Sequence, residues 1–441
     1  MTLRIETHDD RADGSLLPPL YSRAIGSRTG IVSEFYVSNP ARSDPKTCLT
    51  IPDTADIAAL VGLDGDLDLG LSGKGENLSN SLASALGETI ERYCMCWPRE
   101  STLEYGSYEE IAATHRVPEW EYLDVFTPDQ RDRVLEPLTK GTTMPWAIGT
   151  DLLTGEPVAV PAELVWMRVG PLESIPQRFP GSSSGCAAGT GTVDAIVRSL
   201  YEVIERDAFV RTWCLQRPPT RLDIDETHPA AAHIDRVRTA AIEPHVFEHD
   251  SSIDIPTVGA ALRNEREELP TFITGGAAAL DRTRAIAGAL DEVAQGWPYT
   301  THLATTHDLD AVDATAATDN FDENVLYYGL PENFDEVSFL FEGPIEPIDT
   351  ADVCKHKPTG DAGEGSQSRK RELKQLLAAL AEIDATPIAF DLTTVDAAQL
   401  GIAVTRVVVP ELVPLTPPAI LPRGHPAFDD RAITEKPHPY P

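Results

Sequence analysis

Residues 72–94 read SGKGENLSNSLASALGETIERYC, and the predicted fold is organised around this stretch. Helix-forming residues run from Ser81 to Cys94 with no Gly-Pro pair to interrupt them, which predicts one helix. Its polar face carries Ser84, Glu88, Glu91 and Arg92. Its apolar face carries Leu82, Leu86, Ile90 and Tyr93. The polar face can hold a charged ligand, or it can be a solvated face with an ordinary Glu88–Arg92 ion pair.

A second stretch, residues 192–209, repeats this pattern as TVDAIVRSLYEVIERDAF. The repeated ExxER spacing consists of Glu202, Glu205 and Arg206. Asp194 lies two turns earlier on the same predicted helical face. Two such helices far apart in one chain favour related halves of an internal pseudo-repeat over two independent solvated faces.

A third, weaker copy of the pattern is AIAGALDEVAQGW, at residues 285–297. Glu292 and Gln295 have the same i,i+3 spacing there. We therefore expect a third helix over residues 273–296.

The two ExxER helices are expected to bring four carboxylates and two guanidinium groups to a shared cleft. Four carboxylates close together repel one another strongly unless cations lie between them. Hard divalent ions with oxygen ligands fit this requirement, and Mg²⁺ usually binds together with phosphates. The predicted site therefore holds a metal and a nucleotide.

The motif at Gly73-Lys74-Gly75 is not a P-loop. A Walker A motif needs GxxxxGK followed by Ser or Thr directly before a helix, and here Gly75 follows the lysine. The sequence also lacks a Rossmann GxGxxG and the kinase HRD and DFG elements. A nucleotide would therefore be held by carboxylate-bound metal and by basic side chains on its phosphates.

The charge of the chain is extreme, with 36 basic and 70 acidic residues and a net charge of −34. No basic stripe is present, which argues against a nucleic-acid partner. The acids are spread over the whole chain, so we interpret them as adaptation of the surface to high salt; a surface for a basic partner is the alternative.

No signal peptide or membrane span is predicted, which favours the cytoplasm. The six cysteines contain no CxxC pair.

Strand and helix patterns alternate along the chain, which predicts an α/β or α+β fold. Residues 143–165 read as a β-hairpin, and a helix and two strands are expected over 370–409. We expect a flexible N-terminus at 1–20 and one domain over 21–441. Its Pro-rich tail covers 410–441.

Together these motifs resemble the YcaO family. The matching elements occur in family order over nearly the whole chain: GKG with SxxxExxER, SGxAAG before ExxERDA, an ALxExxQ helix, DLTxxD with GxxVxRVVVP, and a terminal PxPxP. The resemblance implies the YcaO fold, with a non-P-loop ATP cleft between its carboxylate-bearing helices. ATP and Mg²⁺ are the implied cofactors.

The resemblance also implies roles for individual residues. The implied Mg²⁺ ligands are Glu88, Glu91, Glu202 and Glu205. The implied nucleotide contacts are Lys74, Ser84, Arg92, Asp194, Arg206 and Glu292. The family usually has Glu at position 194, and often has Arg where this chain has Gly288. Arg284, one turn earlier on the third helix, is a candidate substitute.

The family activates a backbone amide of a peptide with ATP. In its azoline-forming branch, a Cys, Ser or Thr side chain attacks the preceding carbonyl, and the oxygen of the resulting hemiorthoamide takes the γ-phosphoryl group of ATP. Loss of phosphate then gives the azoline, with ADP as the other product. Members of that branch end in PxPxP at the active site, and the ending here is PHPYP. The resemblance thus assigns a catalytic role to Pro437, Pro439 and Pro441, although a disordered tail is the usual fate of a terminus.

We therefore predict an ATP- and Mg²⁺-dependent peptide cyclodehydratase, acting as a homodimer in a salt-adapted cytoplasm. Its implied partners are a ribosomal precursor peptide, a separate ThiF-like or winged-helix leader-binding protein, and an optional flavin-dependent azoline dehydrogenase. One alternative is a thioamide-forming member with a sulfur-delivery partner. The other is a degenerate scaffold or regulatory homologue, for which Asp194 and Gly288 are the best evidence.

Overall fold

The computed structural model describes most of the chain. The described residues are 16–18, 20–63, 67, 69–167, 169–313, 321–349, 366–418, 420–429 and 431–440. Most of the predicted flexible N-terminus and Pro441 therefore lie outside the described residues.

Strands and helices alternate, as the sequence predicts. The strands of the described chain are β1 (Val32–Ser38), β2 (Cys48–Thr54), β3 (Gly73–Gly75), β4 (Glu104–Gly106), β5 (Met144–Asp151), β6 (Pro157–Pro161), β7 (Cys186–Gly189), β8 (Thr220–Ile224), β9 (Ile242–Glu248), β10 (Thr257–Asn264), β11 (Phe272–Ala278), β12 (Ile345–Ile348), β13 (Ile388–Asp391) and β14 (Ala403–Val408). The α-helices are α1 (Ile57–Val61), α2 (Leu78–Met95), α3 (Tyr108–Ala112), α4 (Trp120–Leu123), α5 (Pro128–Val134), α6 (Thr192–Cys214), α7 (Ala231–Val237), α8 (Arg282–Thr306), α9 (Phe321–Gly329), α10 (Ser366–Ala381) and α11 (Val395–Gln399).

The chain divides into two compact units that are interleaved in sequence. The first comprises Met1–Asn39, Cys48–Leu200 and Glu364–Glu411, and the second comprises Pro40–Thr47, Tyr201–Gly363 and Leu412–Pro441. The first unit contains an antiparallel sheet in the order β1-β2-β3 and a larger sheet in the order β4-β5-β13-β14-β7, with β6 paired to β5. The second unit contains one sheet in the order β11-β10-β9-β8-β12. The predicted mixed α+β class is confirmed.

Helix α2 is stabilised by a capped first turn and by a buried apolar face. The Asn77 side chain accepts a hydrogen bond from the Asn80 amide and caps the first turn, so the helix begins at Leu78. The predicted apolar face is buried in the core of the first unit; its members are Leu82, Leu86, Ile90 and Tyr93.

The predicted hairpin, helix and late strands are present. Strands β5 and β6 pair antiparallel, with Trp146 opposite Pro161. The expected elements over 370–409 are α10, β13 and β14. Among the described residues, no helix combines the length and the apolar composition needed to cross a membrane.

The prediction of one helix over 273–296 is wrong in its first part. Residues Phe272–Ala278 form β11, which pairs antiparallel with β10. Gly275 and Gly276 disfavour a helix there, and the neighbouring strand supplies the backbone hydrogen bonds. Helix α8 begins only at Arg282, where the Asp281 side chain accepts hydrogen bonds from two backbone amides of the first turn.

Candidate functional site

The first ExxER helix carries a compact set of charged groups, here called the first motif set: Glu88, Glu91 and Arg92. Arg92 Nη2 lies 3.5 Å from Glu88 Oε1, and Arg92 Nη1 lies 3.2 Å from Glu91 Oε1. The exposed fractions of the three side chains are 28%, 15% and 17% in sequence order. These groups are therefore held in a partly desolvated patch, unlike an ordinary surface ion pair.

Glu88 of the first motif set is a desolvated carboxylate. Burial raises the pKa of Glu88, while Arg92, the Ser72 amide and Lys74 oppose that rise. The Ser72 amide donates to Oε2 at 3.0 Å, which fixes the carboxylate from the β3 side of the helix. Positive charge nearby stabilises the ionised form of a desolvated carboxylate, so this position favours a cation.

Lys74 reaches this patch because β3 lies directly against α2. A Cβ at Gly73 would lie 2.2 Å from the Ala85 amide nitrogen, so only glycine permits the observed approach. Ser84, the other predicted contact on α2, is partly exposed one turn before Glu88. The structure thus brings Lys74 close to the first motif set.

This close approach gives a prediction for stability. We expect Gly73→Ala to lower the free energy of unfolding by about 1–3 kcal/mol, because the added methyl group forces β3 away from α2. Gly87→Ala on the same helix is the matched control, since a Cβ there meets nothing within 4 Å. That control should stabilise the protein by about 0.5–1 kcal/mol through helix propensity. Chemical denaturation of both variants measures the difference; equal stabilities would contradict the observed strand–helix contact.

The second ExxER helix repeats the arrangement. The second motif set consists of Glu202, Glu205 and Arg206. Arg206 Nη2 lies 3.8 Å from Glu202 Oε1, and Arg206 Nε lies 3.5 Å from Glu205 Oε1. The two carboxylate side chains are 25% and 13% exposed. Each motif helix therefore presents two carboxylates and one arginine in the same order, as the predicted pseudo-repeat requires.

The Pro-rich tail packs against the second motif set. The Tyr440 hydroxyl donates a hydrogen bond to Glu205 Oε1 at 2.5 Å. Pro437 and Pro439 are buried on either side of His438, and the Pro437 carbonyl accepts a hydrogen bond from Tyr328. Of the residues predicted for this site, the structure brings these two prolines to the unit that holds the second motif set, while Pro441 lies outside the described residues.

Asp194 is held by other partners. Its Oδ2 accepts from the Thr190 amide at 3.0 Å, and its Oδ1 lies 3.3 Å from Arg198 and 2.8 Å from Arg369. The pKa of Asp194 is lowered: burial raises it, but the two arginines and the Thr190 amide outweigh that effect. The structure assigns Asp194 to the first unit and ties it to the start of its own helix. A direct nucleotide contact by Asp194 stays a prediction.

Glu292 lies on α8 above β11. A Cβ at Gly275 would lie 2.5 Å from Glu292 Cγ, so this side chain rests on the strand backbone. One turn earlier, a Cβ at Gly288 would lie 2.8 Å from the Ala277 Cβ. The helix is thus too close to β11 for a larger residue without rearrangement, which accounts for glycine at 288. Arg284 is exposed.

The donor set fits Mg²⁺ better than a metal with an all-protein ligand cage. Within the described part of the chain, no group of three or more His, Cys, Asp or Glu residues is arranged to hold a metal ion. Mg²⁺ commonly keeps several water ligands and takes one or two carboxylates together with phosphates. A pair of partly buried glutamates beside an arginine meets that requirement, because arginine side chains bind phosphate oxygens well.

Sequence reasoning missed three features of these sites. The Asn77 cap had a local signal, because Asn directly before an apolar helix is a common start. The Ser72 amide had no such signal, since any residue can supply a backbone amide. The bond between Tyr440 and Glu205 joins positions 235 residues apart, and no local pattern encodes it.

Known proteins resemble this chain in sequence and in fold. An uncharacterised protein of Methanothermobacter thermautotrophicus is 28% identical over 228 residues, which are 51% of this chain and 56% of that protein. The chain thus aligns with little more than half of that relative's length. YcaO from Methanopyrus kandleri, solved with AMPPCP and Mg²⁺, has a TM-score of 0.61 at 20% identity and 86% coverage of both chains. A heterocyclase solved with substrate and cofactor has a TM-score of 0.70 at 18% identity, covering 94% of this chain and 55% of its own.

The two structural likenesses show the fold. The family follows from the sequence, because the YcaO family, described as ATP- and Mg²⁺-binding YcaO cyclodehydratases, matches residues 72–413. That match includes both motif sets and every predicted site residue except the tail prolines, and it confirms ATP and Mg²⁺ as the expected cofactors. The chain belongs to the YcaO family.

Proposed function

We propose that this protein is an ATP- and Mg²⁺-dependent cyclodehydratase that converts Cys, Ser or Thr residues of a ribosomal peptide into azolines. The observation that carries the proposal is the contact between the tail and the second motif set, through Tyr440 and Glu205. A PxPxP ending is implied for the azoline-forming branch, and Tyr440, in the described part of that ending, contacts a carboxylate–arginine set. This supports a working role for the tail beyond that of a loose terminus.

The proposed roles follow from the charges of the two sets. Glu88, Glu91, Glu202 and Glu205 would hold Mg²⁺. Lys74, Ser84, Arg92 and Arg206 would contact the nucleotide phosphates, with Asp194 and Glu292 as further contacts. The two arginines would neutralise charge on the transferring phosphoryl group, which is the main contribution a protein makes to such a step.

The chemistry places the nucleophile on the peptide. When bound, Mg·ATP supplies the phosphoryl group that converts the amide oxygen into a leaving group. The protein then has to align the peptide side chain with its own preceding carbonyl and keep the charged groups fixed. Because the peptide supplies the nucleophile, neither motif set needs a Ser or Cys nucleophile activated by a neighbouring base.

The assembly is also part of the proposal. We expect a homodimer that works in a salt-rich cytoplasm with a ThiF-like or winged-helix leader-binding protein. A flavin-dependent dehydrogenase would oxidise azolines afterwards. The net charge of −34 supports salt adaptation, because self-repulsion among surface carboxylates is screened at high ionic strength.

Mass spectrometry tests the reaction. The protein is incubated in high salt with Mg·ATP, the precursor peptide encoded beside its gene, and the partner protein. We expect a loss of roughly 18 Da per modified residue, one water, together with ATP turnover. Replacing ATP by AMPPCP is the control and should leave the peptide unchanged.

Other outcomes would identify the alternatives. A gain of about 16 Da, oxygen replaced by sulfur, would indicate thioamide formation with a sulfur-delivery partner. Neither a mass change nor ATP turnover with the partner present would contradict both enzymatic functions and would favour the degenerate scaffold.

A further inference from the structure

Tyr440 is among the most buried large side chains of the second unit, with 1% of its surface exposed. Its ring centroid lies 4.2 Å from that of Phe209, and the Arg206 guanidinium carbon lies 4.5 Å from the same ring. Together with the hydrogen bond to Glu205, one tyrosine contacts three residues of α6. Two of those residues belong to the second motif set.

The tail around Tyr440 is fixed by contacts that do not involve the motif set. Trp213 Nε1 donates to the Lys436 carbonyl at 3.1 Å, and Tyr328 donates to the Pro437 carbonyl. His438 Nε2 lies 2.7 Å from the Thr416 carbonyl oxygen. These contacts hold the tail independently of Glu205. Tyr440 can therefore determine the orientation of the Glu205 carboxylate.

Glycine at position 276 of β11 leaves room for the Tyr440 hydroxyl. A Cβ at Gly276 of β11 would lie 2.7 Å from the Tyr440 hydroxyl oxygen. A tyrosine hydroxyl is protonated near neutral pH, so Tyr440 donates this hydrogen bond and Glu205 accepts it. The donor therefore has a fixed position and a fixed direction.

The hydrogen bond from Tyr440 makes the two carboxylate oxygens of Glu205 different. Oε1 accepts the hydrogen bond from the Tyr440 hydroxyl and is the oxygen nearest to Arg206 Nε. No residue that the structure describes donates a hydrogen bond to Oε2. A carboxylate oriented in this way presents one oxygen to a cation while the other is held by a second layer of protein groups, as is usual for metal ligands.

We propose that Tyr440 is a positioning residue that orients Glu205 for the metal and holds Arg206 against its ring. The inference rests on the proposed function, because it needs a metal–nucleotide complex at the second motif set. It assigns a task to a variable position of the PxPxP ending, one that the prolines themselves cannot perform.

Metal binding tests the inference directly. Mn²⁺ replaces Mg²⁺ as the probe, since both prefer carboxylate and water ligands. Electron paramagnetic resonance measures Mn²⁺ affinity and the Mn²⁺ spectrum in the full chain with AMPPCP. We expect Tyr440→Phe to weaken Mn²⁺ binding about 10–100-fold, the range typical of lost outer-layer partners, and to alter the Mn²⁺ spectrum.

Two further variants show whether an effect on Mn²⁺ binding is specific to the contact between Tyr440 and Glu205. Tyr327→Phe is the matched control, because it removes a similar hydrogen bond, 2.9 Å to Glu336, outside both motif sets. It should leave Mn²⁺ affinity unchanged. Gly276→Ala should weaken Mn²⁺ binding by displacing the Tyr440 hydroxyl while every motif side chain is retained. Thermal unfolding of each variant confirms that it is folded.

The outcomes separate the two proposals. If the unaltered protein does not bind Mn²⁺ with AMPPCP, the proposed function fails and the inference fails with it. If the unaltered protein binds but Tyr440→Phe binds within about twofold of it, the role of Tyr440 is refuted and the proposed function stands. Equal weakening by Tyr327→Phe would likewise refute a specific role.

Discussion

Glu205→Gln should lower ATP turnover by about 100-fold or more. A bound metal ion contributes several kcal/mol to the stabilisation of a reacting phosphoryl group, and each 1.4 kcal/mol or so corresponds to about a tenfold change in rate. Glutamine keeps the oxygen that accepts from Tyr440 but loses the negative charge. The packing of the tail should therefore survive while the affinity for a cation falls.

Glu336→Gln is the matched control for this prediction. Glu336 accepts a tyrosine hydrogen bond from Tyr327 at 2.9 Å, but it belongs to neither motif set. Its glutamine variant should turn over ATP at the unaltered rate. Phosphate release assays compare the two proteins, and a fully active, folded Glu205→Gln variant would exclude Glu205 as a metal ligand.

Acid should destabilise the second unit through two buried histidines. Burial lowers the pKa of both His249 and His438 to about 4. The native state therefore keeps them neutral, whereas the unfolded chain protonates them below about pH 6.5. Because the unfolded state binds more protons, the free energy of unfolding falls as the pH drops from about 6.5 towards 4. Each histidine should cost about 2 kcal/mol at about pH 5 relative to pH 7.

Variants isolate this effect from the titration of the many carboxylates. His438→Gln can still donate to the Thr416 carbonyl, and its unfolding free energy should depend less on pH by about 2 kcal/mol. His302→Gln, at an exposed position of α8, should retain the full pH dependence. Urea denaturation at pH 7 and pH 5 in constant salt compares them. If the unaltered protein and both variants lost the same unfolding free energy between pH 7 and pH 5, the tail around His438 would not be buried.

Local patterns predicted the parts of the fold that depend on local chemistry. The spacing of Leu82, Leu86 and Ile90 predicted a helix with one buried face, and α2 has that face. The repeated ExxER spacing predicted two similar charged sets, and both helices carry them. Helical periodicity is a property of neighbouring residues, so a single sequence contains it.

The remaining features depend on contacts between distant residues. The helical spacing of the residues after Gly275 and Gly276 favours a helix at these positions, but pairing with β10 makes both glycines part of a strand. The partners of Asp194 also come from far along the chain, because Arg369 lies 2.8 Å from its carboxylate. Partners of this kind are set by tertiary packing, which overrides local preference.

The bond between Tyr440 and Glu205 also has a consequence for biosynthesis. The two residues are 235 positions apart, so the ribosome makes Glu205 long before its partner. Translation proceeds at about 5–20 residues per second, so roughly 12–47 s pass between the synthesis of Glu205 and that of Tyr440. During that time helix α6 lacks the tyrosine that covers its carboxylate and arginine. Folding of the second unit can therefore be completed only after Tyr440 has been synthesised.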